Sequence, residues 1–264
     1  MPVSCSVSIA KLSTAELREL DYRVMRHAFD SQNELGRLAD ERIYQADLAA
    51  RLRSAGMTVS REVEVQLLHC EFCKSLFLDL IVAEQAVYEM KVVKTITDAH
   101  IGQLLTYLHV LDLPRGKLIN FRSVNVESKF VNAPLDSAQR RSFNINEVEF
   151  RGDDGFRDLV IGLLRDWGTS LTLSLYQEAV VSLLGGIEVV EAMLPVNRNG
   201  ILLGTQRFHL ASPDTAFKVT AMNRDTSAYR SQLARLIQFS PLRAIHWINI
   251  ARHEVTFTTI PGHR

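Results

Sequence analysis

The chain has 264 residues, enough for one large domain or two of ordinary size, each able to bury a core. A hydrophobic content of 47% with 23% charged residues excludes a disordered chain, and no stretch approaches the ~20 uninterrupted apolar residues of a membrane span. Thirty basic and thirty acidic residues cancel overall, but residues 198–264 carry nine Lys or Arg against three Asp or Glu, an excess that suits either phosphate backbones or a scattered, solvated face. The opening MPVSCSVSIAKLS lacks a basic start and a long apolar core, so no signal peptide and a cytoplasmic location are predicted. Cys70 and Cys73 have metal-knuckle spacing, but a closed site needs four ligands and the remaining candidates are only Cys5 and His69, so a four-cysteine site cannot be completed and reduced thiols are expected.

Ser13-Thr14-Ala15-Glu16 has capping-box spacing and predicts a helix running through Val24, Met25, Ala28 and Phe29 to about Asn33, starting there or near Asp21. A second helix is predicted from Ala39 to Ser54, stopped by Gly56, with Glu41, Tyr44 and Leu48 on the face that meets a sheet. Glu41 there either reaches a site on the sheet or simply complements the helix dipole. Glu62 to Leu68 alternates apolar and polar residues and reads as an edge or half-exposed strand.

Leu76 to Lys91, LFLDLIVAEQAVYEMK, holds two apolar runs with Asp79, Glu89 and Lys91 inside them. Side chains alternate faces along a strand, so Asp79 shares a face with Phe77 and Ile81, and Glu89 shares one with Val87 and Lys91. If the pair closes through Ala83-Glu84-Gln85, Asp79 falls opposite Glu89 with Cβ atoms roughly 5 Å apart, where like charges destabilise the sheet unless compensated. Mg²⁺ or Mn²⁺ would compensate, since hard cations prefer carboxylates, and Lys91 would help position or deprotonate a bound water. The plainer alternative is a salt-linked hairpin in which Lys91 neutralises one acid and the other points to water. Beyond it, Thr97-Asp98 predicts a cap for a helix from Ala99 to Leu111 carrying Gln103 and Tyr107 on one face, with His100 one turn earlier as a candidate at the rim.

An acid in one strand followed by Glu-x-Lys in the next resembles the PD-(D/E)XK nuclease superfamily. NELGRLADERIYQADLAARLRSAGM at 33–57 resembles the opening motif of its GxxExxY branch, with Gly36, Glu41 and Tyr44 at the named positions and Leu38 where that group has a second glycine. HIGQLLTYL supplies Gln103 and Tyr107 at the Gln-x-x-x-Tyr spacing of RecB-like members, and KLINF at 117–121 is similar to the strand that follows. The resemblance runs from about Leu20 to Val131. It implies an αβββαβ core of the restriction-endonuclease type and a metal-dependent phosphodiesterase. In that site Asp79, Glu89 and Glu41 would be metal ligands, Lys91 and Gln103 catalytic, and Tyr107 and Tyr44 substrate contacts.

The plan recurs in the second half. SLYQEAVVSLLGG near 174–186 parallels RIYQADLAARLRSAG at 42–56, aligning Tyr176 with Tyr44, and YRSQLARLIQFSPLRAIHWINI at 229–250 parallels HIGQLLTYLHVLDLPRGKLINF at 100–121 without a gap. Gln232 then sits on Gln103 and Asn249 on Asn120. Leu173 replaces Glu41, His209 replaces Asp79, Ala216 replaces Glu89 after a three-residue shortening, and Lys218 keeps the place of Lys91. The expected fold class is therefore α/β, an α+β sandwich built as two tandem αβββαβ domains at 1–140 and 141–264, with residues 132–154 as a linker and the second site dead for want of carboxylates. The second domain is expected to have a helix at 156–167, one reaching Leu184, strands near 187–196, 200–211 and 215–222, a helix at 226–238, and strands at 244–250 and 254–260. Lys218 and Gln232 would serve structure or substrate contact.

The expected function is a Mg²⁺- or Mn²⁺-dependent nuclease acting on nucleic acid, with DNA favoured over RNA by superfamily analogy. The two domains would pack as an intramolecular pseudo-dimer, or the chain as a homo-oligomer. A non-catalytic nucleic-acid-binding or assembly module on the same fold is the alternative, and another phosphodiester such as a nucleotide signal stays open as a substrate.

Overall fold

A computed structural model describes residues 3–262. Its contacts divide the chain into two units, Met1–Leu68 with Cys73–Asp136, and His69–Phe72 with Ser137–Arg264.

In the first unit a short strand, β1 (Val3–Cys5), precedes α1 (Thr14–Leu35). The Ser13 hydroxyl accepts from the Glu16 amide while the Glu16 carboxylate accepts from the Ser13 amide, so both ends of the predicted capping box are made. Gly36, at φ +74°, ends α1 in a conformation that a side chain would resist. Then follow α2 (Glu41–Ser54), β2 (Val59–His69), β3 (Phe72–Val82), β4 (Ala86–Lys91), α3 (Asp98–Val110), β5 (Arg115–Asn120) and β6 (Glu127–Asn132). They form one six-stranded sheet in the order β1-β2-β3-β4-β5-β6. β4 is antiparallel to β3 and parallel to β5, and β5 is antiparallel to β6. Val24, Ala28, Tyr44, Leu48 and Leu52 from α1 and α2 bury against Leu80, Tyr88, Met90 and Ile119 of the sheet. All six residues of β4 are buried, because the strand has a neighbour on each side and helices over its faces.

The second unit contains α4 (Ser137–Arg141), β7 (Asn144–Glu149), α5 (Asp154–Trp167), α6 (Leu173–Leu183), α7 (Ile187–Val190), β8 (Glu191–Arg198), β9 (Ile201–Ser212), β10 (Thr215–Thr220), α8 (Thr226–Ile237), β11 (Ala244–Ile250) and β12 (Glu254–Pro261). The sheet order is β7-β12-β11-β10-β9-β8. Here too β10 is antiparallel to β9 and parallel to β11, which is antiparallel to β12. A core of Phe208, Ala216, Leu233, Ile237, Ile245, Trp247 and Ile260 lies between this sheet and α8.

Three expectations are refined or corrected. β2 is half-exposed as expected, with Val63, Val65 and Leu67 buried and the residues between them not, but it is not an edge strand, since β1 pairs antiparallel with it through Val3↔Leu67 and Cys5↔Val65; a three-residue strand is too short to show a period. The stretch expected as a linker holds α4 and β7, and β7 joins β12 in parallel; its residues are nearly all exposed, so no apolar alternation marks it. The strand expected from 187 begins at Glu191, after the single turn of α7.

His246 lies on β11 in an aromatic setting, with ring centroids 4.9 Å from Phe150 and 5.6 Å from Phe156. Burial holds its pKa below the ordinary histidine value, against the opposing pull of Asp153. A group depressed in this way adds stability above its unfolded value of about 6.5 and loses it as pH falls through the lower folded value. Both tryptophans, Trp167 and Trp247, belong to the second unit. Tryptophan-monitored unfolding of the full chain should therefore weaken from about pH 7 to about pH 5, and His246→Phe should flatten that slope.

Candidate active site

Val82↔Ala86, Ile81↔Val87 and Leu80↔Tyr88 are paired across β3 and β4, and the loop is Ala83–Gln85 with Ala83 and Glu84 both at φ +56°. One step further along this register sets Asp79 opposite Glu89. At that step the Asp79 carboxylate itself enters the pairing, its Oδ2 accepting from the Met90 amide at 2.7 Å. Glu89 is 1% exposed. Its Oε1 accepts from Lys91 Nζ at 2.7 Å, and its Oε2 is buried without a hydrogen-bond partner. Lys91 Nζ also lies 3.7 Å from Oε1 of Glu41, the first residue of α2. The structure thus brings Glu41, Asp79, Glu89 and Lys91 to one place, from three elements.

Burial moves both strand acids upward. Asp79 is raised to about 6 by desolvation, with the Met90 amide and Lys91 opposing. Glu89 is raised to about 8 by desolvation and then by the Asp79 charge, against Lys91. Desolvation works against the Lys91 ammonium, but Glu89, Asp79 and Glu41 outweigh it and hold its pKa above the usual lysine range. The salt-linked alternative holds for one acid, since Lys91 pairs with Glu89 through Oε1, but Asp79 is bound to the Met90 amide and does not point to water, and the second Glu89 oxygen is buried without a partner.

From α3, Gln103 Nε2 donates to Tyr107 Oη at 2.9 Å. Tyr107 is 7% exposed; burial raises its pKa first, and Glu89 and Asp79 raise it further, placing its hydroxyl within their field. His100 caps instead of lining the rim, its Nδ1 accepting from the Thr97 amide at 3.0 Å. Tyr44 requires correction: it is wholly buried, stacks on Phe121 at 4.4 Å and donates from Oη to the Gly36 carbonyl at 2.5 Å. A side chain with no accessible surface has no means of touching substrate, so the motif tyrosine is a packing residue that latches the α1–α2 corner.

Sequence reasoning missed two participants. Glu62 on β2 adds to the upward push on Asp79, and it holds φ +47° within a strand; its alternation with Glu64 gave no sign of this. Asn120 is fully buried on β5, directly beside Lys91 in the parallel pairing. Its side-chain amide brackets Val93, accepting from that residue's N–H at 3.1 Å and donating to its carbonyl at 2.8 Å. The clasp fixes where the chain leaves β4, two residues past Lys91.

Asn249 makes the same clasp in the second unit, on Met222. With the two asparagines as reference, the pairing Thr220↔Asn249 against Lys91↔Asn120 puts Thr220 in the strand position of Lys91, and Lys218 in that of Glu89. The expected match of Lys218 to Lys91 is therefore off by two residues. A slip of two keeps every side chain on its face, so alternation could not detect it. By the same register Phe208, not His209, stands where Asp79 does. Lys218 and Gln232 are both exposed. A cleft of about 790 Å³ in this unit is lined by Asn146, Glu149, Arg230, Trp247, Asn249 and Glu254; it has two acids and an arginine, but no lysine among the described residues that line it.

Among the described residues no group of three or more His, Cys, Asp or Glu side chains converges to hold a metal ion. The expected triad of Asp79, Glu89 and Glu41 is not preassembled, because the Lys91 ammonium stands between Glu89 and Glu41. The donor set still suits a hard cation. Magnesium commonly takes one or two carboxylates and completes its shell with water and phosphate. Asp79 and Glu89 are such a pair, both disfavoured as bare anions, one with an orphaned oxygen.

Residues 18–131 match the family model of the PD-(D/E)XK nuclease superfamily. The matched segment contains Glu41, Asp79, Glu89, Lys91, Gln103 and Tyr107. Among solved structures, the crystal structure of SSO0001 is similar at 20% identity and a TM-score of 0.29, over 44% of this chain and 64% of that one. No curated protein matches.

A cation binding to the acid pair competes with protons. Mn²⁺ affinity measured calorimetrically should therefore rise as pH climbs from about 6 to about 8, and Asp79→Asn or Glu89→Gln should each abolish it. Affinity that is flat across that range would remove the pair from the ligand set. Tyr44→Phe should leave Mn²⁺ binding intact while lowering unfolding free energy by about 1 kcal/mol, the net worth of the lost hydrogen bond to Gly36.

Proposed function

We propose that the first unit is a metal-dependent nuclease that hydrolyses phosphodiesters in nucleic acid, DNA above all. The observation that carries the reading is the buried acid pair with Lys91 at hydrogen-bond distance from Glu89, inside the segment that matches a nuclease superfamily. Mg²⁺ or Mn²⁺, when bound, supplies Lewis acidity and a more acidic water. Asp79 and Glu89 would hold it, with Glu41 assisting. The remaining work falls to the chain's own groups. Met90 fixes the Asp79 carboxylate, and Asn120 fixes the exit of β4. Lys91 aligns the attacking water and stabilises negative charge developing on the phosphate. Tyr107 and Gln103 border the acids from α3 and would contact the substrate.

Membership of the GxxExxY branch is supported by what its residues do: Gly36 turns the chain in a left-handed conformation, Tyr44 latches that turn, and Glu41 opens α2 beside Lys91. We further infer a tandem duplication with a dead second copy. In its support, Tyr176 Oη donates to the Gly168 carbonyl at 2.6 Å as Tyr44 does to Gly36, the asparagine clasp recurs, and the strands pair in the same sense. Leu173, Phe208, Lys218 and Thr220 stand where the acids and lysine would be, and offer no carboxylate. The basic excess of residues 198–264 would then serve binding, with Lys218 and Gln232 on its exposed surface.

A second reading, a non-catalytic binding module, is favoured by one observation: Lys91 already neutralises Glu89, and three acids do not converge. The deciding experiment incubates labelled single- and double-stranded DNA and RNA with Mg²⁺, Mn²⁺ or EDTA. Cleavage should require metal and fall about 100-fold or more in Asp79→Asn, Glu89→Gln and Lys91→Ala. Cleavage indifferent to all three would defeat the nuclease reading, and tight binding without cleavage would establish the second.

A further inference from the structure

β8 and β9 form a hairpin closed by Asn199 and Gly200, at φ +51° and +79°, the left-handed pair that a two-residue connection with properly twisted strands requires. On β9 every residue from Ile201 to Arg207 is exposed, and Phe208 is the first to bury. Those residues extend for roughly 23 Å. Ile201, Leu202 and Leu203 are 65, 61 and 62% exposed, and Met193 on β8 is 56% exposed. The register shifts between Val196↔Gly204 and Asn197↔Leu202, so Leu203 is an extra residue without a cross-strand partner. Such a bulge bends the ribbon and sharpens its twist. Just behind the polar tip, Asn197 to Gly200, the arm therefore holds a run of exposed apolar side chains, Ile201 to Leu203, that a solvated hairpin has no reason to carry.

Charge identifies the occupant. From Ala192 to Phe208 the arm has two cations, Arg198 and Arg207, and no acid, and it begins the stretch whose basic residues outnumber its acids nine to three. Glu191, at the base, pairs with Arg207 at 3.4 Å. Strand addition by a second copy along the β8 edge is poorly served, since Pro195 offers no N–H and the Asn197 amide is taken by the Phe239 carbonyl. Apolar side chains flanked by arginines fit a duplex, where wedges of Leu, Ile or Met enter between base steps while cations take phosphates.

We propose that the β8–β9 arm is a wedge for duplex DNA, with Leu202 and Leu203 unstacking a base step and Arg198 and Arg207 holding the backbone. The inference rests on the nucleic-acid reading above and gives the second unit a role in it. The test uses the full chain without added metal and a duplex carrying 2-aminopurine, read by fluorescence and by anisotropy. Wild-type binding should raise the 2-aminopurine signal. Leu202→Ser with Leu203→Ser should abolish that rise and weaken affinity roughly 10-fold or more, while Leu202→Met with Leu203→Met should retain both. Arg198→Ala with Arg207→Ala should reduce the slope of log affinity against log salt by about 2. Trp167 and Trp247 fluorescence checks that each variant's second unit is folded. Binding unchanged by the serine pair, or a serine pair that alters self-association in sedimentation and not DNA binding, would overturn the wedge. Cleavage scored in parallel separates the two ideas: metal-dependent cleavage without unstacking sinks the wedge alone, whereas failure to bind or cleave any nucleic acid sinks both.

Discussion

Two carboxylates face each other across an antiparallel pair, and one of them is almost wholly out of water. In that low-dielectric setting their repulsion and the loss of hydration each disfavour ionisation, and a single ammonium at 2.7 Å relieves only part of it. The first unit is arranged to hold this uncomfortable group. β4 is pinned on one side by the β3 ladder and on the other by the parallel pairing to β5, so Glu89 lacks the freedom to turn outward. Asp79 is tied to a backbone amide, and Lys91 is bounded by acids from two directions. A charged set left this incomplete in a natural core is waiting for something positive, or for a proton.

The supports lie one layer out. Asn120 satisfies both main-chain groups of Val93 and so spends its amide on the point where β4 gives way to the loop before α3. On the opposite face of the sheet Lys117 donates to Asp21 at 2.6 Å and lies over the Phe130 ring, tying α1 to β5. These interactions touch no substrate. Their effect is to remove the small rotations of strand and helix that would otherwise pull the acids apart.

Much of this was readable in the amino-acid order. Capping residues announced α1 and α3, Gly56 announced the end of α2, and two apolar runs with a three-residue link announced the β3–β4 hairpin, because each signal is local. What escaped the sequence was whatever depends on partners distant along the chain. β1 and β7 are short or exposed and owe their pairing to strands elsewhere. The burial of Tyr44 and the presence of Glu62 near Asp79 follow from how elements meet, which spacing alone does not encode. The two-residue slip at Lys218 is the sharpest case, since the pattern on each face is identical before and after it.

The tyrosine latch separates what holds a shape from what could do chemistry. A hydroxyl reaching back eight residues to a glycine carbonyl closes a helical corner at Tyr44 and again at Tyr176, though only the former has an acid and a lysine waiting beyond it. An aromatic ring locked into a corner is retained for as long as the polypeptide must hold its form. Carboxylates held in a dehydrated setting do nothing to stabilise the fold, so the tyrosine reports architecture and the acids report where a cation or a proton would be taken up.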